Sequence, residues 1–240
     1  MKKFFSHPLF YCIFAALGLV GMALQFWFFS IAPDSRGLMP ARHISGILTA
    51  LVMAAALALL LLSRRHIQFP RNPLLVRIVG AVLAAIFTGI SAGVMFSQSH
   101  RLTGILAALA AAGCLYVVWA RLRSQRVFYG VYAVFALCYM FYMISRYRDW
   151  SAEPETFRYL YQLLALVCMM LVFYQKAALQ LHTGRFTSYH MWHGLATVLS
   201  LTAVPSAANP MLYLAGAIWL ILDPSPRPHL RADPQGSDTP

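Results

Sequence analysis

The stretch ISGILTALVMAAALALLLL, Ile44 to Leu62, carries no charge, and its only polar side chains are a serine and a threonine. A helix of about twenty apolar residues crosses the roughly 30 Å hydrocarbon layer of a bilayer with every backbone hydrogen bond closed inside the segment. Five further runs share this character: Pro8 to Ile31, Leu74 to Phe96, Leu102 to Ala120, Phe128 to Ser145 and Tyr159 to Ala178. The composition agrees, with 60% of the 240 residues apolar and 11% charged, where a soluble domain has about a quarter charged. The expected fold class is all-α, a polytopic transmembrane helical bundle.

From Phe186 to Leu222 the apolar sequence is divided by PSAANP, Pro205 to Pro210. Two readings follow: a pair of short spans joined by a tight turn, for eight spans in all, or a re-entrant hairpin. Both return the chain to the same side. Residues 1–222 therefore form one transmembrane domain. The Pro-rich, polar segment DPSPRPHLRADPQGSDTP, 223–240, is expected to be a disordered cytoplasmic tail. MKKFFSHPLFYCIF starts like a signal peptide, but its apolar run is too long and Ser30-Ile31-Ala32 is followed by Pro33, so it reads as an uncleaved first span.

Basic residues are retained in the cytoplasm more often than they are translocated. With the N-terminus inside, thirteen of the nineteen Lys and Arg fall on inner flanks, among them Arg77, Arg121 and Lys176, and six on outer ones. Both termini are thus expected in the cytoplasm of a cell-membrane protein. The net charge of +12 calls for an anionic leaflet, not a nucleic acid.

Small residues recur every four positions at Gly46, Ala50, Ala54 and Ala58, at Ala81, Ala85, Gly89 and Gly93, and at Gly104, Ala108 and Ala112. Such stripes allow close helix approach in lipid, so the second, third and fourth spans are expected to form a tight core. A homo-oligomer or another membrane protein is the alternative partner for them. Cys12, Cys114, Cys138 and Cys168 have no metal or disulfide spacing and read as small apolar residues.

The fifth span has a different chemistry. Phe128, Tyr132, Phe135, Tyr139 and Tyr142 alternate at steps of four and three, placing their rings on one helical face. Gln162 on the sixth span is among the few uncharged polar groups able to serve the buried hydroxyls. Tyr132, Phe135, Tyr139, Tyr142 and Gln162 form the candidate ligand-binding set, which would line a cavity for an apolar or cationic small molecule; ordinary core packing is the structural alternative.

No span has an ionisable group near its middle, which weighs against an ion-coupled pump; Arg77 is expected to snorkel to the interface. His190 and His193 in SYHMWHG lie one turn apart but lack the carboxylate of an HExxH zinc site. His43 and His100 are a weaker pair for haem. With no P-loop, nucleophile elbow or Rossmann glycine pattern, no catalytic residue, metal or cofactor is assigned.

The loop RYRDWSAEPETFR, Arg146 to Arg158, concentrates scarce charge. Ser151 is placed to cap the sixth span, with Glu153 and Glu155 at the positive end of its dipole. Trp150-Ser151, Pro154, Tyr161 to Leu164 and Tyr174 resemble a stretch in uncharacterised multi-pass integral membrane proteins of anaerobic bacteria. That resemblance implies membrane topology and brings no activity or site residue. Three functional readings follow: small-molecule binding or permeation, an assembly subunit of a membrane complex, and a metalloenzyme using His190 and His193.

Overall fold

The computed structural model describes residues 9–30, 44–63, 72–98, 100–125, 127–151 and 156–224. They form eight helices: α1 (Leu9–Ser30), α2 (Ile44–Ser63), α3 (Leu74–Ser97), α4 (Arg101–Leu122), α5 (Gly130–Ser151), α6 (Thr156–Gln180), α7 (Phe186–Ala203) and α8 (Pro210–Leu222). A 3-10 turn, Val204–Ser206, joins the last two, and no strand occurs among the described residues. The protein is an all-α bundle.

Each of the six long apolar runs becomes one helix, and PSAANP is the turn between α7 and α8. Pro210 opens α8, where the N–H it lacks would have had no helical partner. Five helices, α1 to α4 and α6, are long and apolar enough to cross a membrane. The other three differ for visible reasons. α5 carries tyrosines and ends in charge, α7 has two histidines in its first half, and α8, with 13 residues, is about 20 Å long. The eight expected spans are therefore eight helices, five of which meet that measure of length and apolarity. Leu51, Leu62, Ile86, Leu109 and Leu115 stand on the outer surface, an apolar coat suited to hydrocarbon.

α8 lies inside the bundle. It packs between α3 and α7, and Arg121, Phe135 and Phe173 bring α4, α5 and α6 against its Trp219. Leu212, Tyr213, Ala215, Gly216, Ala217, Trp219 and Leu220 are all buried, as required of a helix surrounded by protein. α1 and α2 flank this group through α7, where Phe14, Ala56, Leu60 and Val198 form a second, smaller core.

The small-residue stripes turn out differently from expectation. α3 and α4 do pair closely, but α2 packs on α1 and α7 instead. Ala50, Ala54 and Ala58 face outward, as do Gly89, Gly93, Ala108 and Ala112. The inward faces carry Ser45, Thr49, Ala56, Leu60 and Ser63 on α2, and Arg77, Ala81, Ala84, Thr88 and Ser91 on α3. Alanine and glycine lose little by facing lipid, whereas hydroxyls and charges need polar partners, so the polar residues set the rotation of each helix.

The close glycine contacts sit elsewhere. A Cβ on Gly18 would stand 2.8 Å from Leu201 Cδ1 and 3.3 Å from the Val198 Cα, and one on Gly21 would collide with Thr202. Nothing lies within 4 Å of a Cβ on Gly93. Gly21→Leu should therefore lower stability by about 1–3 kcal/mol through overpacking against α7, while Gly93→Leu stays within about 0.5 kcal/mol of wild type. Thermal unfolding of the two variants in detergent checks this; equal melting temperatures would refute the α1–α7 contact.

α5 runs on through Ser151, so RYRDWS belongs to its last turns and Ser151 does not open α6. Glu153, Pro154 and Glu155 lie outside the described residues, as do Lys2, Lys3, His43 and the tail from 225 onward. Cys114, Cys138 and Cys168 are buried, Cys12 is exposed, and all four are free thiols.

Candidate functional site

All five candidate ligand-binding residues, Tyr132, Phe135, Tyr139, Tyr142 and Gln162, are buried between α5, α6 and α8. The rings fill the space with one another. Phe173 of α6 is stacked by Phe135 at 4.9 Å and by Tyr139 at 5.8 Å. Trp219 of α8 lies 5.3 Å from Phe135 and 6.5 Å, edge-on, from Tyr132. Pairs of this kind each add about 0.5–1.5 kcal/mol beyond their buried area. Phe128, the first ring of the stripe, is exposed ahead of α5 and packs on Tyr129.

The hydroxyl partners also differ from expectation. Tyr139 donates to the Leu212 carbonyl at 3.3 Å, and Gln162 Nε2 donates to the Ser206 carbonyl at 2.6 Å, pinning the turn before α8. Close by, Asn209 Nδ2 donates to Ser91 Oγ at 2.9 Å. Each of these groups supports the entrance to a helix too short to carry its ends into water. The structure brings Tyr139 to α8 and Gln162 to the turn before it, not to each other.

At the opposite end of α8 stands a charged cluster that sequence reasoning did not assemble. Asp223, first residue of the expected tail, is 2% exposed and is held from three helices. Arg77 Nε of α3 reaches its Oδ1 at 3.0 Å, and Arg121 Nη2 of α4 and Lys176 Nζ of α6 reach its Oδ2 at 2.6 and 2.8 Å. Arg77 does not snorkel outward. It turns inward because its counter-ion is there.

Part of this cluster is explained by helix termination. The last carbonyls of α8 have no helical partner, and in a bilayer each would be costly to leave bare. Asn72 Nδ2 donates to the Leu222 carbonyl at 2.9 Å, His193 Nε2 to the Leu220 carbonyl at 3.1 Å, and Lys176 Nζ to the Asp223 carbonyl at 3.2 Å. Cations near a helix C-terminus are also favoured by its dipole. Arg121 Nη1 donates to the Arg77 carbonyl at 2.9 Å, tying α4 to α3. Burial pushes the Asp223 carboxyl up, but Lys176, Arg121 and Arg77 together outweigh it and hold the group down at about 2.

Two features exceed what capping requires. Among the described residues three cations, from three helices, converge on one carboxylate. Moreover, Arg121 Nε and Trp219 Nε1 are buried N–H donors with no acceptor among the described residues. Lys176 Nζ lies 5.2 Å from the Tyr132 ring centroid and 5.6 Å from that of Trp219, so the cluster joins the aromatic stripe directly.

His190 and His193 open onto this same end of the bundle and are both buried. His190 Nε2 shares a 2.9 Å hydrogen bond with Ser63 Oγ, which donates to the Leu60 carbonyl at 3.1 Å. With the serine proton taken by Leu60, the pair is not arranged as nucleophile and base. His193 spends its Nε2 proton on Leu220, and Tyr189 donates to the Pro224 carbonyl at 3.2 Å. Among the described residues no three His, Cys, Asp or Glu side chains are grouped to hold a metal.

One signal for Asp223 was present in the sequence: a lone acid directly after a short, wholly apolar helix, with basic residues at the same end of three other spans. Comparison of the chain with protein-family models, curated proteins and solved structures returned no match.

Proposed function

We propose that the chain is a multi-pass cell-membrane protein, both termini cytoplasmic, that binds or passes a small molecule along α5, α6 and α8. The observation that carries this reading is the continuous buried line beside α8. It runs from Gln162 at Ser206, through Tyr139 at Leu212 and Phe135 at Trp219, to Lys176 at Asp223. Aromatic faces and a fixed amide suit recognition of an organic molecule, and ionisable groups at membrane depth more often serve function than folding. Tyr142 and Gln162 mark the outer end of the line, and the Asp223 cluster its cytoplasmic end.

Native mass spectrometry of the protein released from lipid nanodiscs tests this. Wild type should retain a small organic molecule, and a Tyr139→Phe, Gln162→Leu variant should lose most of it while still inserting with wild-type helicity, its melting temperature lowered only by the loss of the two donors to Leu212 and Ser206. Equal retention in the two would sink the assignment of these residues.

A second reading, an assembly subunit, is favoured by the outward glycines. Gly46, Gly89 and Gly93 meet nothing within 4 Å of an added Cβ, leaving room for a second copy or a membrane protein partner. If this reading holds, Gly89→Leu with Gly93→Leu dissociates a complex that wild type forms in detergent; a complex surviving both substitutions removes α3 as the interface.

A further inference from the structure

We infer that the end of α8 that follows the PSAANP turn binds the carboxylate of a small acid with an N–H or O–H donor on the neighbouring carbon, as in α-amino and α-hydroxy acids. The inference rests on the binding reading above and names the chemistry of its ligand.

Three observations lead to it. The first is the helix terminus. Pro210 brings no N–H to the first turn of α8, and the N–H groups of Met211 and Leu212 have no partner within the helix. Asn209 stands at the N-cap position but makes no side-chain capping bond, and no backbone carbonyl among the described residues accepts from either N–H. Open N–H groups at the positive end of a helix of 13 residues favour a carboxylate.

The second is Tyr213. It is 0% exposed, and its hydroxyl has no hydrogen-bond partner among the described residues. Side chains on a helix lean toward its N-terminus. The electrostatic neighbours of this hydroxyl, Tyr139, Tyr142 and Arg146, follow α5 toward the same end, so the hydroxyl is aimed at the open terminus. A buried hydroxyl left unpaired is costly, and a carboxylate oxygen would accept from it as a charge-assisted bond. Arg146 has a further contact of its own, and the site does not depend on its charge.

The third is Asn209 itself, 1% exposed. Its Nδ2 donates to the Ser91 carbonyl at 3.3 Å as well as to Ser91 Oγ. A carbonyl only accepts, which fixes the orientation of the amide and turns Oδ1 away from Ser91. There Oδ1 has no donor among the described residues. The terminus therefore presents donors together with one unserved acceptor. A fully ionised phosphate or sulfate would set oxygen against Oδ1, and a plain carboxylate would leave it bare. An ammonium or hydroxyl on the carbon beside the carboxylate serves it. Ala208 is exposed, so the terminus lies one residue from the protein surface, and the Tyr139 and Tyr142 rings beside Tyr213 suit an apolar ligand side chain.

The test uses the full chain in phosphatidylcholine nanodiscs. Glycine, L-leucine, L-phenylalanine and phenyllactate are titrated by calorimetry, each against its primary amide, which lacks the charge, and against the parent acid lacking the amine or hydroxyl. At least one acid should bind, with both of its controls weaker by about tenfold or more, the usual effect of losing a hydrogen bond to a charged group. An amide that binds as well as its acid overturns the inference.

Tyr213→Phe deletes the hydroxyl and keeps the ring. It is expected to weaken binding about tenfold, with the melting temperature of the ligand-free protein unchanged or raised, because the hydroxyl has no partner to lose. Asn209→Asp keeps a good N-cap shape but sets a like charge beside the carboxylate, and should abolish measurable binding. Unaltered affinity in Tyr213→Phe overturns the site. Native mass spectrometry of the untitrated protein completes the test. A retained molecule with a carboxylate and an adjacent donor supports the inference. If wild type binds none of the acids yet retains a molecule without a carboxylate, the carboxylate assignment falls and the binding reading stands. If it binds and retains nothing, both fall, and water alone serves Tyr213 and Asn209.

Discussion

Asp223→Asn is expected to lower the stability of the folded protein by about 3–5 kcal/mol, the usual effect of removing one partner from a buried ion pair. The amide keeps the shape and some hydrogen bonds of the carboxylate, so the loss is electrostatic. Arg77, Arg121 and Lys176 would remain packed around a neutral group at 7%, 7% and 2% exposure, too deep for water to replace the missing charge. Against a typical domain stability of about 5–15 kcal/mol, this is a large fraction. A second substitution, Lys176→Met, should recover part of the loss by removing the most deeply buried cation. Non-additivity between the two would measure their coupling directly.

The same group predicts an acid response. Its carboxyl is held at about 2 in the folded protein against 3.8 when unperturbed, so its contribution is complete above pH 3.8 and is lost as the pH falls through about 2. Melting temperatures followed through that window should drop more steeply for wild type than for Asp223→Asn. Parallel acid profiles, or an Asp223→Asn protein as stable as wild type, would show that the three cations do not depend on this carboxylate.

Much of the architecture could be read from apolar run length, because a run of about twenty apolar residues closes its own backbone hydrogen bonds as a helix, and each of the six runs became one. PSAANP marked the α7–α8 turn for an equally local reason, Pro210 being unable to continue a helix from behind. Rotation of the helices about their axes was less legible. The stripes at Gly46, Ala50 and Ala54 and at Gly89 and Gly93 looked like interfaces, yet in lipid an alanine face has no strong preference, and the inward side was chosen by Ser63, Thr88, Ser91 and Arg77.

The charged cluster was hidden by distance in sequence. Asp223 stands 146, 102 and 47 residues from Arg77, Arg121 and Lys176, and its local setting, DPSPRP, has the composition of a tail. Periodicity did identify the buried aromatic face of α5. It did not identify Trp219, because a helix apolar on every side has no face to read.

Trp219→Ala is expected to cost about 3–5 kcal/mol, the range for deleting a fully buried aromatic side chain. At 1% exposure Trp219 is the largest fully buried side chain of the described residues, and it is the point where α4, α5, α6 and α8 meet. Its removal would open a cavity beside Phe135, Phe173 and Tyr132. It would also strip a ring face from Lys176 and Arg121, each such contact being worth about 0.5–2 kcal/mol. The ring therefore holds together two layers of the bundle, the aromatic stripe and the charged end.

That double role can be separated by comparison. Trp219→Phe refills most of the volume and should lose much less than the alanine variant. Trp119→Ala, at a residue 43% exposed, should lose less still. A double-mutant cycle between Trp219→Ala and Phe135→Ala should return a coupling of about 0.5–1.5 kcal/mol. If Trp219→Ala unfolded no more easily than Trp119→Ala, α8 would not be the central strut of this bundle, and the line from Gln162 to Asp223 would lose its physical support.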